Sequence, residues 1–508
     1  MRIRENKNNI LFWNSITGII YRFLTLILGI VFRRVFIMYM GQELSGLTGM
    51  YSNIVDLLKL SLAGIGFSAL HKLYLCNAHN DNEQRNKICF FAQRFYCIVS
   101  GVILVLGVLF SVFIDQLIYN NIYSKEFLRI VFMAQVLANS IPMLFSFYQI
   151  LGRSYEEQYI NNIVCSIVDT ISYALQITVI ILTGNYYVYL VLVILRYTLA
   201  SFIVSVIVRK KHPCSKYSGK FSFYGLLTLF SDLKDTIISQ VSNFVFLATD
   251  SIIISKFFGL VWVNLYNNYM IIINAIITFF DEINSAVQSR IGNKIANEGD
   301  NHIFQYLRKN YFYQNILLSY TIVGLILFID EFIHIWLGND YLLSKEMVLL
   351  FCINFIIYEL NMPLKSVAIS IGEFELDKEA GIYGALANIV TSIVLAYTIG
   401  ISGVIVGSII GNVVMLVTRA LTLSNKVIKK DKKVFTVTIM RCLIILGIQT
   451  AIAFWGLDFI QTENLVSRFF IKAGLCIIIP TVCNMVFFRD EQELKQLLLN
   501  VKNKIYRH

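Results

Sequence analysis

Residues 186–211 read YYVYLVLVILRYTLASFIVSVIVRKK. From 186 to 208 the run carries one charge, Arg196, and it closes on Arg209-Lys210-Lys211. A helix needs about 20 mostly apolar residues to cross the hydrocarbon layer of a bilayer, and this stretch has them. The tyrosines at its start suit one membrane interface, and the basic triplet marks the other end as cytoplasmic. Similar stretches cover 10–38, 45–71, 88–115, 124–150, 159–182, 236–258, 261–288, 313–336, 346–370, 380–399, 402–424, 437–457 and 467–488. The runs are continuous rather than alternating, which favours helices over the short strands of an outer-membrane barrel. The expected fold class is all-α, a polytopic membrane protein with about 14 transmembrane helices.

Composition agrees. Of 508 residues, 57% are apolar and only 15% are charged, against about 25% charged in an ordinary soluble domain. Mean hydropathy is +0.66. The net charge of +11 would suggest nucleic acid in a soluble protein, but here the cations follow the connections. Segments placed inside carry Arg2, Arg4 and Lys7; Arg209, Lys210, Lys211, Lys216, Lys220 and Lys234; and Lys426, Lys429, Lys430, Lys432 and Lys433. The outer loops hold little beyond Lys125, Lys256, Lys345 and Arg468. Such a bias orients the chain with both termini in the cytoplasm, and nucleic acid is not an expected partner. The basic start leads into an apolar run without a small-residue cleavage site, so it reads as a retained first helix. The nine cysteines show no CxxC and no metal-ligand spacing, and disulfides are not expected on the cytoplasmic side.

The longest connection, 209–235, is basic and contains His212-Pro213, and its 221–230 stretch has the makings of an interfacial helix. It divides the chain into an N-terminal lobe (1–209), a linker (210–235), a C-terminal lobe (236–425) and a final helix pair with tail (426–508). A faint echo supports two lobes: Gly41 is followed ten residues later by Tyr51, and Gly259 ten residues later by Tyr269. Transporters are commonly built from such repeats.

Ionisable residues at membrane depth cost about 2.5–3.5 kcal/mol on insertion scales and therefore need a partner, a wet cavity or a role. Arg22 lies halfway along the first helix, Arg33 and Arg34 near its outer end, and Arg196 mid-helix. These four are the candidates for a cationic cavity that binds an anion such as diphosphate, which guanidinium forks match bidentately. Arg94, Arg129 and Arg419 read better as snorkelling or paired residues. Asp169, Asp250 and Glu359 are isolated acids, candidates to bind a coupling Na⁺ or H⁺ or to serve as counter-ions to the arginines. Pro142 and Pro363, inside helices, are hinge candidates, since each removes a backbone hydrogen bond. The series Gly403-x3-Gly407-x3-Gly411 reads as close helix packing.

The sequence holds no GxxxxGK[ST] phosphate loop, no HExxH, no GxSxG and no His/Cys/carboxylate cluster. No catalytic residue, metal site or cofactor is expected, and transport is favoured over chemistry.

Several islands carry a family resemblance. They are Arg33-Arg-Val-Phe-Ile-Met-Tyr-Met-Gly41, Leu44-Ser-Gly-Leu-Thr-Gly-Met-Tyr-Ser-Asn53, Thr249-Asp-Ser-Ile-Ile-Ile-Ser-Lys-Phe-Phe-Gly259, Leu265-Tyr-Asn-Asn-Tyr269, Trp336-Leu-Gly-Asn-Asp-Tyr341 and Gly400-Ile-Ser-Gly-Val-Ile-Val-Gly407. In this order over residues 10–425 the chain resembles the bacterial polysaccharide flippases of the Wzx type, the O-antigen and capsule exporters. They share a superfamily with MATE drug exporters and lipid II flippases. The resemblance implies a MATE-like two-lobe fold with two additional C-terminal helices. It implies movement of an undecaprenyl-diphosphate-linked oligosaccharide across the cytoplasmic membrane of a bacterium by alternating access, for lipopolysaccharide or other surface polysaccharide. Coupling to an ion gradient is a common proposal for the family. Membrane lipids, a polysaccharide polymerase and glycosyltransferases are the expected partners. Arg33, Tyr51, Asn53, Asp250 and Tyr269 match motif positions. A MATE-type drug antiporter and a membrane polysaccharide polymerase or ligase are the alternatives. Cationic drugs would suit acidic cavities better than arginines, and a polymerase would be expected to carry a long outer loop.

Overall fold

The computed structural model describes residues 2–60, 63–79, 81–120, 122–213, 249–298, 303–371, 374–425, 432–459, 464–489, 491–496 and 499. Most of the linker, the 221–230 stretch and the first part of the 236–258 segment lie outside these residues. Helices run in chain order as α1 (Arg2–Met40), α2 (Gln42–Leu60), α3 (Ala63–His79), α4 (Asn82–Ser111), α5 (Lys125–Ser154), α6 (Gln158–Thr183) and α7 (Tyr186–Lys211). After a helical stretch at 249–258 come α8 (Leu260–Glu298), α9 (Ile303–Trp336), α10 (Lys345–Ser370), α11 (Phe374–Ile399), α12 (Ile401–Leu423), α13 (Lys432–Phe459) and α14 (Leu465–Phe487). Twelve helices among the described residues are long and apolar enough to cross a membrane. The second expected span, 45–71, is divided between α2 and α3, and the seventh falls largely outside the described residues. The protein is an all-helical, multi-pass membrane protein.

Local sequence sets the helix ends. Ser124 caps α5 by accepting from the Phe127 N–H (3.2 Å), Ser344 caps α10 by accepting from Met347 N–H (3.4 Å), and Asp81 caps α4 through Gln84 N–H (2.9 Å). Gly41, Gly184, Gly259 and Gly400 stop the preceding helices at positive φ (86°, 59°, 88° and 73°), a conformation that costs glycine little. These marks repeat. The glycine stop, serine cap, internal proline and second glycine stop at Gly41, Ser124, Pro142 and Gly184 recur roughly 220 residues later as Gly259, Ser344, Pro363 and Gly400. Tyr51 and Tyr269 are both fully buried.

The residues pack as two compact units, Met1–Asn264 and Leu265–His508. In the first, α5 packs on α3, α4 and α7, α1 lies along α6, and α6 also packs on α7. In the second, α12 lies against α10 and α11, while α9 supports α10, α13 and α14. Many large apolar side chains stay exposed, among them Trp13, Phe23, Leu182, Tyr397 and Phe470. In water such a surface would drive association, whereas lipid is its natural solvent. Polar residues are buried instead: Asn268, Asn315, Asn361, Asn388 and Gln449 are all fully covered.

The tightest helix pair is α11–α12. A Cβ added at Gly403 would stand 2.2 Å from the Leu395 carbonyl oxygen, and one at Gly407 2.1 Å from Ser392 Oγ. The packing reading of these glycines is therefore a steric requirement. Gly407→Leu is expected to cost about 3 kcal/mol or more and to lower the thermal unfolding temperature of the detergent-solubilised protein. Gly456→Leu in α13, with no atom within 4 Å of the added Cβ, should leave that temperature nearly unchanged.

Candidate functional site

In the first unit, α1, α6 and α7 bring together a buried charged group. Arg196 donates from Nε to Asp169 Oδ1 at 2.8 Å, with side-chain exposures of 11% and 8%. Its guanidinium carbon lies 4.0 Å from the Tyr173 ring centroid and 5.1 Å from that of Tyr197, a cation–π arrangement. The Tyr21 hydroxyl donates to Asp169 Oδ2 at 3.4 Å. Arg196 and Asp169 are thus each other's partners, the counter-ion arrangement that was one of the two readings of Asp169. Arg22, next to Tyr21, is exposed on α1. Arg33 donates to Asn264 Oδ1 at 3.1 Å, while Arg34 is exposed. Asp250 is buried beside Ser251, whose hydroxyl accepts from Asn53 Nδ2 at 2.7 Å. Of the candidates in this unit, Arg196 and Asp169 are brought into direct contact.

In the second unit Glu359 is fully buried in α10, four residues before Pro363. A proline has no N–H, so the carbonyl four residues earlier loses its helical donor. Here the replacement comes from α9: Gln314 Nε2 donates to the Glu359 carbonyl oxygen at 2.6 Å and to its Oε2 at 3.2 Å. The Tyr311 hydroxyl donates to the adjacent Leu360 carbonyl at 2.9 Å. Asn284 in α8 faces the same carboxylate from the other side, so amides from two helices surround the buried acid. On the same helix Asn361 accepts from Arg419 Nη1 (2.9 Å), and Arg419 also pairs with Asp377 (Nη2 to Oδ1, 2.5 Å). Arg419 is 1% exposed, so pairing, one of the two readings its sequence position allowed, is its observed state. Asn412 Nδ2 donates to Asn354 Oδ1 at 2.8 Å, which ties α12 to α10 once more.

Sequence reading centred on charges passed over Gln314, Asn361 and Asn412. The available signal was an uncharged amide inside an apolar run opposite a proline-bearing helix. In hydrocarbon, that amide must be answering another polar group.

By sequence, the chain matches no known family profile and no curated protein. By structure, it is similar to the lipid II flippase MurJ in an inward closed conformation, with a TM-score of 0.67 and 16% identity over 94% of this chain and 99% of that one. It is also similar to an inward-facing multidrug resistance MATE family transporter of the MOP superfamily (TM-score 0.56, 14% identity, 84% and 95% covered). A third is the Vibrio cholerae MATE transporter VcmN (TM-score 0.59, 12% identity, 82% and 98% covered). The fold is therefore the one that MATE transporters and MurJ share.

Two stability tests follow from the geometry. Gln314→Leu strips the donor from the Glu359 carbonyl and carboxylate and should cost about 1–3 kcal/mol, read as a lower unfolding temperature. Asp169→Leu alone leaves the Arg196 charge buried and should cost about 3 kcal/mol or more, whereas the Asp169→Leu/Arg196→Leu double variant should recover most of that loss. Equal unfolding temperatures for the single and double variants would mean the pair is not coupled.

Proposed function

We propose that this protein is a flippase that carries an undecaprenyl-diphosphate-linked oligosaccharide from the inner to the outer leaflet of a bacterial cytoplasmic membrane, by alternating access and with both termini in the cytoplasm. The observation that supports this reading best is the structural similarity to a lipid II flippase over nearly the full length of both chains. The MATE structures account for less of this chain, 84% and 82% in the two cases above. They keep a drug-antiporter reading in play, but arginines at membrane depth suit an anionic headgroup better than a cationic drug. Residues 1–209 and 236–425 act as the two lobes joined by the 210–235 linker, with 426–508 as the additional pair and tail.

In this reading Arg22, Arg33, Arg34 and Arg196 receive the diphosphate. A guanidinium keeps its charge at every relevant pH and offers two parallel donors to phosphate oxygens. Asp250, Glu359 and Asp169 are the coupling carboxylates for Na⁺ or H⁺. Pro142 and Pro363 absorb the bending between states. No step of this cycle makes or breaks a covalent bond in the cargo.

Deletion of the gene should strand lipid-linked repeat units on the cytoplasmic leaflet and deplete surface polysaccharide; a deletion strain with normal surface polysaccharide would refute the reading. Within it, Arg22→Ala at normal expression should lower export about tenfold, equivalent to one charge-assisted contact, and Arg22→Lys should lower it less. Arg196→Ala made in an Asp169→Asn background, which leaves no buried carboxylate unpaired, should export less than the Asp169→Asn single variant. Normal export by both alanine variants would remove the arginines from the substrate site.

A further inference from the structure

Between α8 and α9, wholly within the second unit, lies a cavity of about 360 Å³, inside the usual range for small-ligand pockets. Its lining changes character along its length. Arg290 and Lys309 are exposed at one end. Arg290 lies beyond the membrane-length stretch of α8, Leu260–Ser285, and Lys309 is in the first two turns of α9, so the cationic end of the cavity is the one at these helix ends. Deeper in, the lining includes the amides of Asn284, Asn310 and Gln314, all less than a tenth exposed.

Two of these groups find no partner among the described residues: Asn310 Nδ2, a buried donor with two N–H groups, and Gln314 Oε1, a buried acceptor. Asn284 faces the Glu359 carboxylate and has a second N–H to offer. Glu359 stands behind Gln314 and Asn284, which both turn an amide toward its carboxylate. Buried polar groups of this kind are costly without a partner. A bare anion such as inorganic phosphate would answer the donors and leave the acceptor open. A bare metal cation would answer the acceptor and leave the donors. A hydroxyl does both, because it donates one hydrogen bond and accepts others. The two cations at the mouth call for a phosphate oxygen in addition.

We propose that this cavity binds a phosphate ester carrying free hydroxyls. The phosphate lies between Arg290 and Lys309, and the hydroxyls reach Asn284, Asn310 and Gln314. Two sources share this chemistry, the glycerophosphate headgroup of a phosphatidylglycerol and a sugar phosphate. The site needs neither Arg22 nor any movement of cargo, so it stands or falls separately from the flippase reading.

The test is calorimetric titration of the purified full-length protein with dihexanoyl phosphatidylglycerol, dihexanoyl phosphatidylcholine and glucose 1-phosphate. Phosphatidylcholine carries a phosphate but no hydroxyl on its headgroup. Phosphatidylglycerol or glucose 1-phosphate should bind at least about tenfold more tightly than phosphatidylcholine, and whichever of the two binds more tightly identifies the source. Arg290→Gln/Lys309→Gln, which alters only exposed side chains, should weaken that binding about tenfold, and Asn310→Leu should narrow the preference over phosphatidylcholine. Equal binding of all three probes, or unchanged affinity in the Arg290→Gln/Lys309→Gln variant, would overturn the proposal and leave the cavity to water.

Discussion

Inside a bilayer no water reaches the backbone, so every carbonyl and amide must find its partner within the protein. Much of this structure follows from that constraint. Pro363 deprives the Glu359 carbonyl of its helical donor, and the α9 side chain Gln314 supplies one at 2.6 Å. The contact does more than mend a helix. It binds α9 to α10 at the level of the buried acid and holds the carboxylate as well as the carbonyl, so one amide mends the helix and positions its acid.

Charged groups obey the same rule with larger stakes. Arg419, Asp377 and Asn361 join α10, α11 and α12, while Arg196 and Asp169 join α6 to α7 beside the rings of Tyr173 and Tyr197. The two units thus share helix stops, caps and prolines yet differ in where they place their ion pairs. Repeated architecture sets the scaffold, and the unrepeated charges make one half chemically unlike the other.

The helical, membrane-spanning class was legible from runs such as 186–208, because hydropathy and bilayer thickness together leave few alternatives. Two ends were legible in the repeated glycines Gly41 and Gly259, and the structure adds Gly184 and Gly400 as stops of the same kind. The candidate site was less so. Depth along a helix showed that Arg196 needed a partner, but not that Asp169, on the preceding helix, was within 2.8 Å. That distance depends on the rotation of α6 against α7, which a span list does not contain. Gln314 stayed hidden for a related reason. An uncharged amide barely perturbs hydropathy, and its importance arises only when a proline-bearing helix lies opposite.

The glycines between α11 and α12 have a consequence for how the chain is made. One residue, Gly400, separates the two helices, and the Gly403 and Gly407 contacts leave no room for a lipid tail between their backbones. Such a pair has the make-up of a single hairpin, each member covering backbone and hydroxyl groups of the other, including Ser392 and Ser408. In the order of synthesis it follows α10, so the helix whose Asn354 and Asn361 answer Asn412 and Arg419 is already made when the hairpin emerges.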